Sequence, residues 1–151
     1  MKIILFSPDI PQNVGNIART CAVTATPLVL VRPLGFNFSS NKIKRAGLDY
    51  WDQVDITIVD SLEEALDGPA YFFSTKGQKI YTEACFEENA CLIFGSETAG
   101  LPQWVHNKWG NLFYTLPMRP TARSLNLSNS VAIALYEALR QHQFKNVLTK
   151  P

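Results

Sequence analysis

The sequence predicts an α/β fold, a largely parallel sheet with helices on both faces, and three observations lead there. Short apolar runs such as KIILF, LVLV, VDITIV and YFF recur between helical or polar stretches, the alternation that builds parallel sheets. Two later runs, in LIFGSETAGLP and NLFYTLP, break off in Gly or Pro, as strands do when they present loops to a ligand. With 151 residues, 46% hydrophobic and 18% charged, the composition is that of an ordinary globule. This length suits one domain, spanning 1–151, that buries about 68–70% of its unfolded surface.

In chain order, Lys2–Phe6 is the first strand, ended by Ser-Pro. Pro8 and Pro11 keep the following loop extended, and Asn13 is a candidate helix N-cap. Val14, Ile17, Ala18, Cys21, Ala22 and Ala25 then form a helical core stripe. Arg19 lies off that stripe, on the polar side with Asn16 and Thr20. An arginine on a polar helix face is ordinarily solvated surface, and its place beside the carboxyl end of a strand adds weight to a functional reading.

Leu28–Val31 is the second strand, closed by Arg32-Pro33. An irregular region follows, with a short helix expected around 41–46. There Lys42, Lys44 and Arg45 fall near Phe36, Phe38, Tyr50 and Trp51. Cations interleaved with aromatics suit looped RNA, because phosphates need charge and unstacked bases need ring faces; lysines over core aromatics give the same pattern. Val54–Val59 is the third strand, and Ser61 with Glu64 forms a capping box. Tyr71–Phe73, Leu92–Phe94 and Leu112–Leu116 are the fourth to sixth. The last helix begins SVAIAL (130–135), with no charge around its circumference, so burial on more than one side, against a second subunit, is expected. The tail after Phe144 reads as loose.

The overall charge of +1 carries no nucleic-acid signature, but its distribution is uneven. Residues 1–59 hold six basic and four acidic side chains, residues 60–97 two and eight, and residues 98–151 six and one. The C-terminal third is the basic face, a solvated surface or a footprint for a polyanion. The N-terminal apolar run is too short for a signal or a membrane span, which points to the cytoplasm and to no membrane partner. Cys21, Cys85 and Cys91 form no CxxC pair, and their odd number argues against a disulfide framework.

Motif searches mostly eliminate. GSETAGLP spaces its glycines like a phosphate loop but has Leu-Pro where Lys and Ser/Thr must hold phosphate and magnesium. GxGxxG and GxSxG are missing. His106 and His142 have no Cys or carboxylate pattern beside them, which leaves a metal site or a hydrolytic triad little to build on. What remains are three strand ends, Phe73-Ser74-Thr75, Gly95-Ser96-Glu97 and Leu116-Pro117-Met118. They are rich in main-chain donors and acceptors and poor in phosphate-binding cations. Such a rim suits a ligand with an adenine-like edge and hydroxyls, and Gly95 and Gly100 allow close backbone approach.

PDIPQNVGNIART, LIFGSETAGLP and LPMRPTARSLNLSNSVAIALYEALRQ resemble the three signature motifs of the SPOUT superfamily, the knotted S-adenosyl-L-methionine-dependent RNA methyltransferases. AGLDYW and STKG resemble intervening segments of its small single-domain group, which methylates the ribose 2′-hydroxyl of the tRNA wobble nucleotide, position 34, a cytidine or modified uridine. The resemblance implies a C-terminal trefoil knot. It places the methyl donor at Phe73, Thr75, Gly95, Glu97 and Gly100, and at Leu116, Met118, Ser124 and Asn126. Arg19, Asn16 and Ser128 would surround the reacting hydroxyl, and no metal is implied. A homodimer through the first and last helices would carry Arg19 to the partner's donor. Lys42, Lys44, Arg45, Arg123 and Tyr136 are the residues expected to meet tRNA.

The chemistry must polarise a ribose hydroxyl and align it with a sulfonium methyl, and orientation supplies much of the rate. The family casts the matching arginine as the base. Because a guanidinium keeps its proton, Arg19 also suits a second role, a cation that stabilises the developing alkoxide and fixes the adjacent phosphate. Two other readings compete: a non-catalytic RNA-binding module, and a 2′-O-methyltransferase for another tRNA or rRNA position.

Overall fold

The computed structural model describes residues 1–38, 50–145 and 147. Among these residues seven strands occur in chain order: β1 (Lys2–Phe6), β2 (Leu28–Val31), β3 (Ile56–Val59), β4 (Ala70–Phe73), β5 (Lys79–Ile80), β6 (Cys91–Phe94) and β7 (Phe113–Thr115). The α-helices among the described residues are α1 (Pro11–Val23), α2 (Leu62–Ala65), α3 (Gln103–Trp109) and α4 (Leu127–Gln141). One sheet takes the order β3-β2-β1-β6-β4-β7-β5, and every neighbouring pair is parallel.

Parallel strands covered on both faces read as continuous apolar runs, and the pleat sorts those runs into two cores. Ile3, Leu5, Leu28, Leu30, Leu92 and Phe94 pack with Ile17 and Cys21 of α1 and Val131 and Leu135 of α4. On the other face Ile4, Val29, Val31, Phe72 and Ile93 pack with Leu62 and Ala65 of α2 and Val105 of α3. Helices therefore cover both faces, as expected. Among the described residues no helix is long and apolar enough to cross a membrane.

Several boundaries differ from the sequence reading. α1 starts at Pro11 with Ile10 in the N-cap position, because proline's fixed φ suits the first helical turn. Asn13 is thus no cap; it lies inside the helix and is buried. The core stripe ends at Cys21, since Ala22 is half-buried and Ala25 is exposed at φ 52°. β3 begins at Ile56, two residues after Val54, and β7 is trimmed to Phe113–Thr115. β5 and α3 were not anticipated. The helix expected around 41–46 lies outside the described residues. Of the tail expected to be loose, Val147 packs against the α1–α4 core and donates its N–H to Phe144. Ser61 does cap α2: its Oγ accepts from Glu64 N at 3.3 Å and donates to Glu64 Oε1 at 2.9 Å.

α4 begins at Leu127 and buries Val131, Ala134, Leu135, Ala138 and Leu139. Its apolar onset does not close over in the single chain, where Ile133 is 40% and Tyr136 46% exposed. Near the helix end Glu137 accepts from Arg140 Nε at 2.7 Å and Nη2 at 2.8 Å, and from Gln141 Nε2 at 3.0 Å. These donors, Arg140 foremost, hold the Glu137 carboxyl down at about 2 against an ordinary 4.5. A lowered carboxylate pKa contributes stability above its unfolded value and loses it as pH falls toward the folded one. Thermal midpoints should therefore drop between about pH 4.5 and pH 2, and the drop should shrink in Glu137→Gln; an unchanged profile in that variant would remove the pair as its source.

Candidate functional site

Adjacent strands β6, β4 and β7 end on the same edge of the sheet, so their loops meet. Together with the N-terminus of α1 they enclose a cleft of about 490 Å³, within the usual size for a small-molecule site. Phe73, Phe94, Leu101 and Leu116 form apolar walls, and Thr75, Ser96, Met118 and Ser124 add polar or main-chain edges.

Each loop is held by local bonds. After β4, Gly77 N donates to Ser74 O at 3.0 Å, Lys76 N to Ser74 Oγ at 3.1 Å, and Ser74 N to Tyr114 O at 3.0 Å. After β6 the chain folds back on itself, with Gly100 N on Ser96 O at 2.9 Å and Ala99 N on Ser96 Oγ at 3.1 Å. Gly100 sits at φ 67°, a left-handed conformation that glycine adopts without steric cost. A Cβ on Gly95 would lie 2.2 Å from the Gly100 carbonyl carbon, so only glycine fits there. After β7, Asn126 caps α4: its Oδ1 accepts from Ser128 N at 2.9 Å and Asn129 N at 3.3 Å.

One carboxylate ties the loops to α1. Glu97 Oε2 accepts from Asp9 N at 2.8 Å, and Oε1 accepts from Ile10 N at 3.2 Å and Asn13 Nδ2 at 3.0 Å. Asn13 Oδ1 in turn accepts from Asn126 Nδ2 at 3.0 Å. A negative group at the start of α1 also meets the positive end of the helix dipole. A second tether joins the same loops, from Thr98 Oγ1 to Asp9 Oδ2.

Phe73, Thr75, Gly95, Glu97, Gly100, Leu116, Met118, Ser124 and Asn126 all line the cleft, and so does Arg123. Glu97 does so with both carboxylate oxygens engaged, by the backbone before α1 and by Asn13 within it. Arg19, Asn16, Ser128 and Tyr136 are not part of the lining. Arg19 is exposed, with its guanidinium carbon 4.9 Å from the centre of the Tyr50 ring. Asn16 is exposed on the same helix, and the Ser128 hydroxyl donates to Asn126 Oδ1 at 2.6 Å. Lys42, Lys44 and Arg45 lie outside the described residues, while Phe36 and Phe38 pack against the core.

Sequence reading missed Asn13, Lys76 and His106 as lining residues. His106 stacks on Phe113 with ring centres 4.1 Å apart. Desolvation, then the nearby Lys76 charge, pushes its pKa below the usual histidine value. Among the described residues no group of three His, Cys, Asp or Glu is placed to hold a metal ion.

A model of the SpoU rRNA methylase family matches residues 1–136. A tRNA (cytidine(34)-2'-O)-methyltransferase from Methylovorus glucosotrophus is 45% identical, covering 94% of this chain and 96% of its own. A solved structure concerned with the 2-OH methylation of C/U34 on tRNA superposes with a TM-score of 0.87 at 46% identity, covering 94% of this chain and 95% of that one. The SpoU methyltransferase AviRb from Streptomyces viridochromogenes, solved in complex with AdoMet, has a TM-score of 0.82 at 22% identity over 95% of this chain and 58% of that one. This last likeness is one of fold.

Replacing Glu97 by Ala leaves three donors at the start of α1 without their acceptor. The expected cost is about 2 kcal/mol of unfolding free energy, read by urea denaturation; a loss within the error of the parent value would mean that the clamp is not structural.

Proposed function

The chain belongs to the SpoU rRNA methylase family, and on that premise we propose that it transfers a methyl group from S-adenosyl-L-methionine to the ribose 2′-hydroxyl of nucleotide 34, a cytidine or modified uridine, in the anticodon loop of tRNA. The observation that carries this reading is likeness over nearly the whole chain. Relatives at 45% and 46% identity, each covering 94% of the chain, are named for or concern methylation at that nucleotide.

The cleft fits the donor. Its apolar walls, Phe73, Phe94, Leu101 and Leu116, suit an adenine ring, and the main chain at Thr75, Gly95 and Met118 suits the ring's edge and the ribose. The Glu97 carboxylate, the one acidic group among the described lining residues, is engaged by the Asp9 and Ile10 N–H groups before α1 and by Asn13. Lys76 and Arg123 line the same cleft and can meet the carboxylate of an amino-acid moiety. When bound, the donor supplies a methyl carbon made electrophilic by its sulfonium.

The chain must then place and polarise the ribose oxygen. Arg19 is the candidate, acting as a cation on the developing alkoxide. It stands outside the cleft of its own chain, and a homodimer through α1 and α4 would carry it to the partner's cleft. Exposed Val23, Ile133 and Tyr136 on those two helices support that dimer, since burying such side chains is favourable. The reading includes a trefoil knot in which the C-terminal segment threads through a loop. The same reading has the protein act in the cytoplasm, as a single domain and without a metal.

The test is incubation of unmodified tRNA with methyl-labelled donor, followed by mapping of the modified nucleotide. Label on the 2′-oxygen of nucleotide 34 is expected; label elsewhere, or none, would overturn the reading. In the same assay Arg19→Ala should lower turnover roughly 10²–10³-fold with donor affinity near that of the parent. Turnover close to the parent's would remove Arg19 from the mechanism.

A further inference from the structure

α3 starts one residue after the cleft loop, and its Trp104 is 45% exposed. The indole rests against two other rings: the Phe6 ring at the carboxyl end of β1 meets it edge-on at 6.2 Å, and Trp109 lies 6.1 Å away. One turn along, on the same face, Lys108 is also exposed. Its ammonium sits 4.5 Å from the Trp109 ring centre and 2.8 Å from Glu63 Oε1. A surface ion pair of this kind is weak and can yield to a phosphate.

The rest of the molecule explains little of this face. Val105 anchors α3 to the sheet face opposite α1 and α4, so a dimer through those two helices would leave Trp104 uncovered. Leu101, three residues before Trp104, lines the cleft, and Phe6 beneath the indole ends β1 at the carboxyl edge of the sheet, the edge on which the cleft opens, which puts the indole on the same side of the molecule as a nucleotide presented there. The C-terminal third, with six basic side chains and one acidic, favours a polyanion.

We propose that this face of α3 binds the substrate RNA beside the reacting nucleotide, with an unstacked base on the Trp104 indole and a neighbouring phosphate on Lys108. Rigid aromatic platforms with an adjacent cation hold single-stranded nucleic acid in this way, with little sequence preference. The inference rests on the reading of the protein as a tRNA methyltransferase.

The test compares tRNA affinity of the parent, Trp104→Ala, Trp104→Phe and Lys108→Gln across a salt series, with donor affinity as a check on folding. Trp104→Ala should weaken tRNA binding by about fivefold to a hundredfold, and Trp104→Phe should restore most of it. Lys108→Gln should lower the slope of log affinity against log salt by about one. In protein carrying 5-fluorotryptophan, the fluorine resonance missing from Trp104→Phe should shift when tRNA is added, a readout that needs no alanine variant to fold. Parental tRNA affinity in Trp104→Ala, or an unmoved resonance, would overturn the proposal; so would a change in oligomeric state with tRNA affinity intact, which would make the face a protein interface. A parent that binds tRNA without methylating it would contradict the functional reading instead, and one that methylates it while Trp104→Ala binds equally well would contradict this inference alone.

Discussion

The Glu97 carboxylate is the constraint on which the candidate site depends. It belongs to the loop after β6 yet satisfies two backbone N–H groups before α1 and the Asn13 amide within it. The Asn13 amide then reaches Asn126 at the start of α4. Segments far apart in sequence are thus fixed to one another at the carboxyl edge of the sheet, each through polar groups that would otherwise need water. Two glycines make the arrangement possible, since the loop between them closes too tightly at Gly95 for any Cβ.

That edge is where a parallel sheet has its ligand sites, and the order β6-β4-β7 sets three loop origins side by side. The resulting cleft combines apolar walls with main-chain and polar side-chain edges, and Lys76 and Arg123 add positive charge to it. The walls and edges suit a donor's ring and hydroxyls, and the two cations suit its carboxylate. The groups proposed for the chemistry stand elsewhere: Arg19 and Asn16 lie exposed on α1. In this account donor binding belongs to one chain and turnover to a pair of chains.

Much of the fold was legible because buried parallel strands announce themselves as apolar runs. β1 and β2 fell where KIILF and LVLV put them, and the Val14–Cys21 stripe is the buried face of α1. β5 was not legible: Lys79 and Ile80 are both exposed, and a two-residue edge strand leaves no pattern. α3 was hidden because its only fully buried residue is Val105, too few contacts for a helical stripe. The three strand ends could be named as a rim, but their convergence follows from strand order, which no local pattern encodes. Asn13 shows the limit most clearly. Its type and position suited a cap, whereas its role comes from partners more than eighty residues away.

The central claim is that backbone groups of these loops form one preorganised donor site. Amide hydrogen exchange with and without S-adenosyl-L-methionine tests it most directly. The account predicts that amides of residues 74–76 and 95–101, and those of Leu116 and Met118, slow together on adding the donor. Unchanged exchange in those loops, or protection confined to another surface, would contradict it.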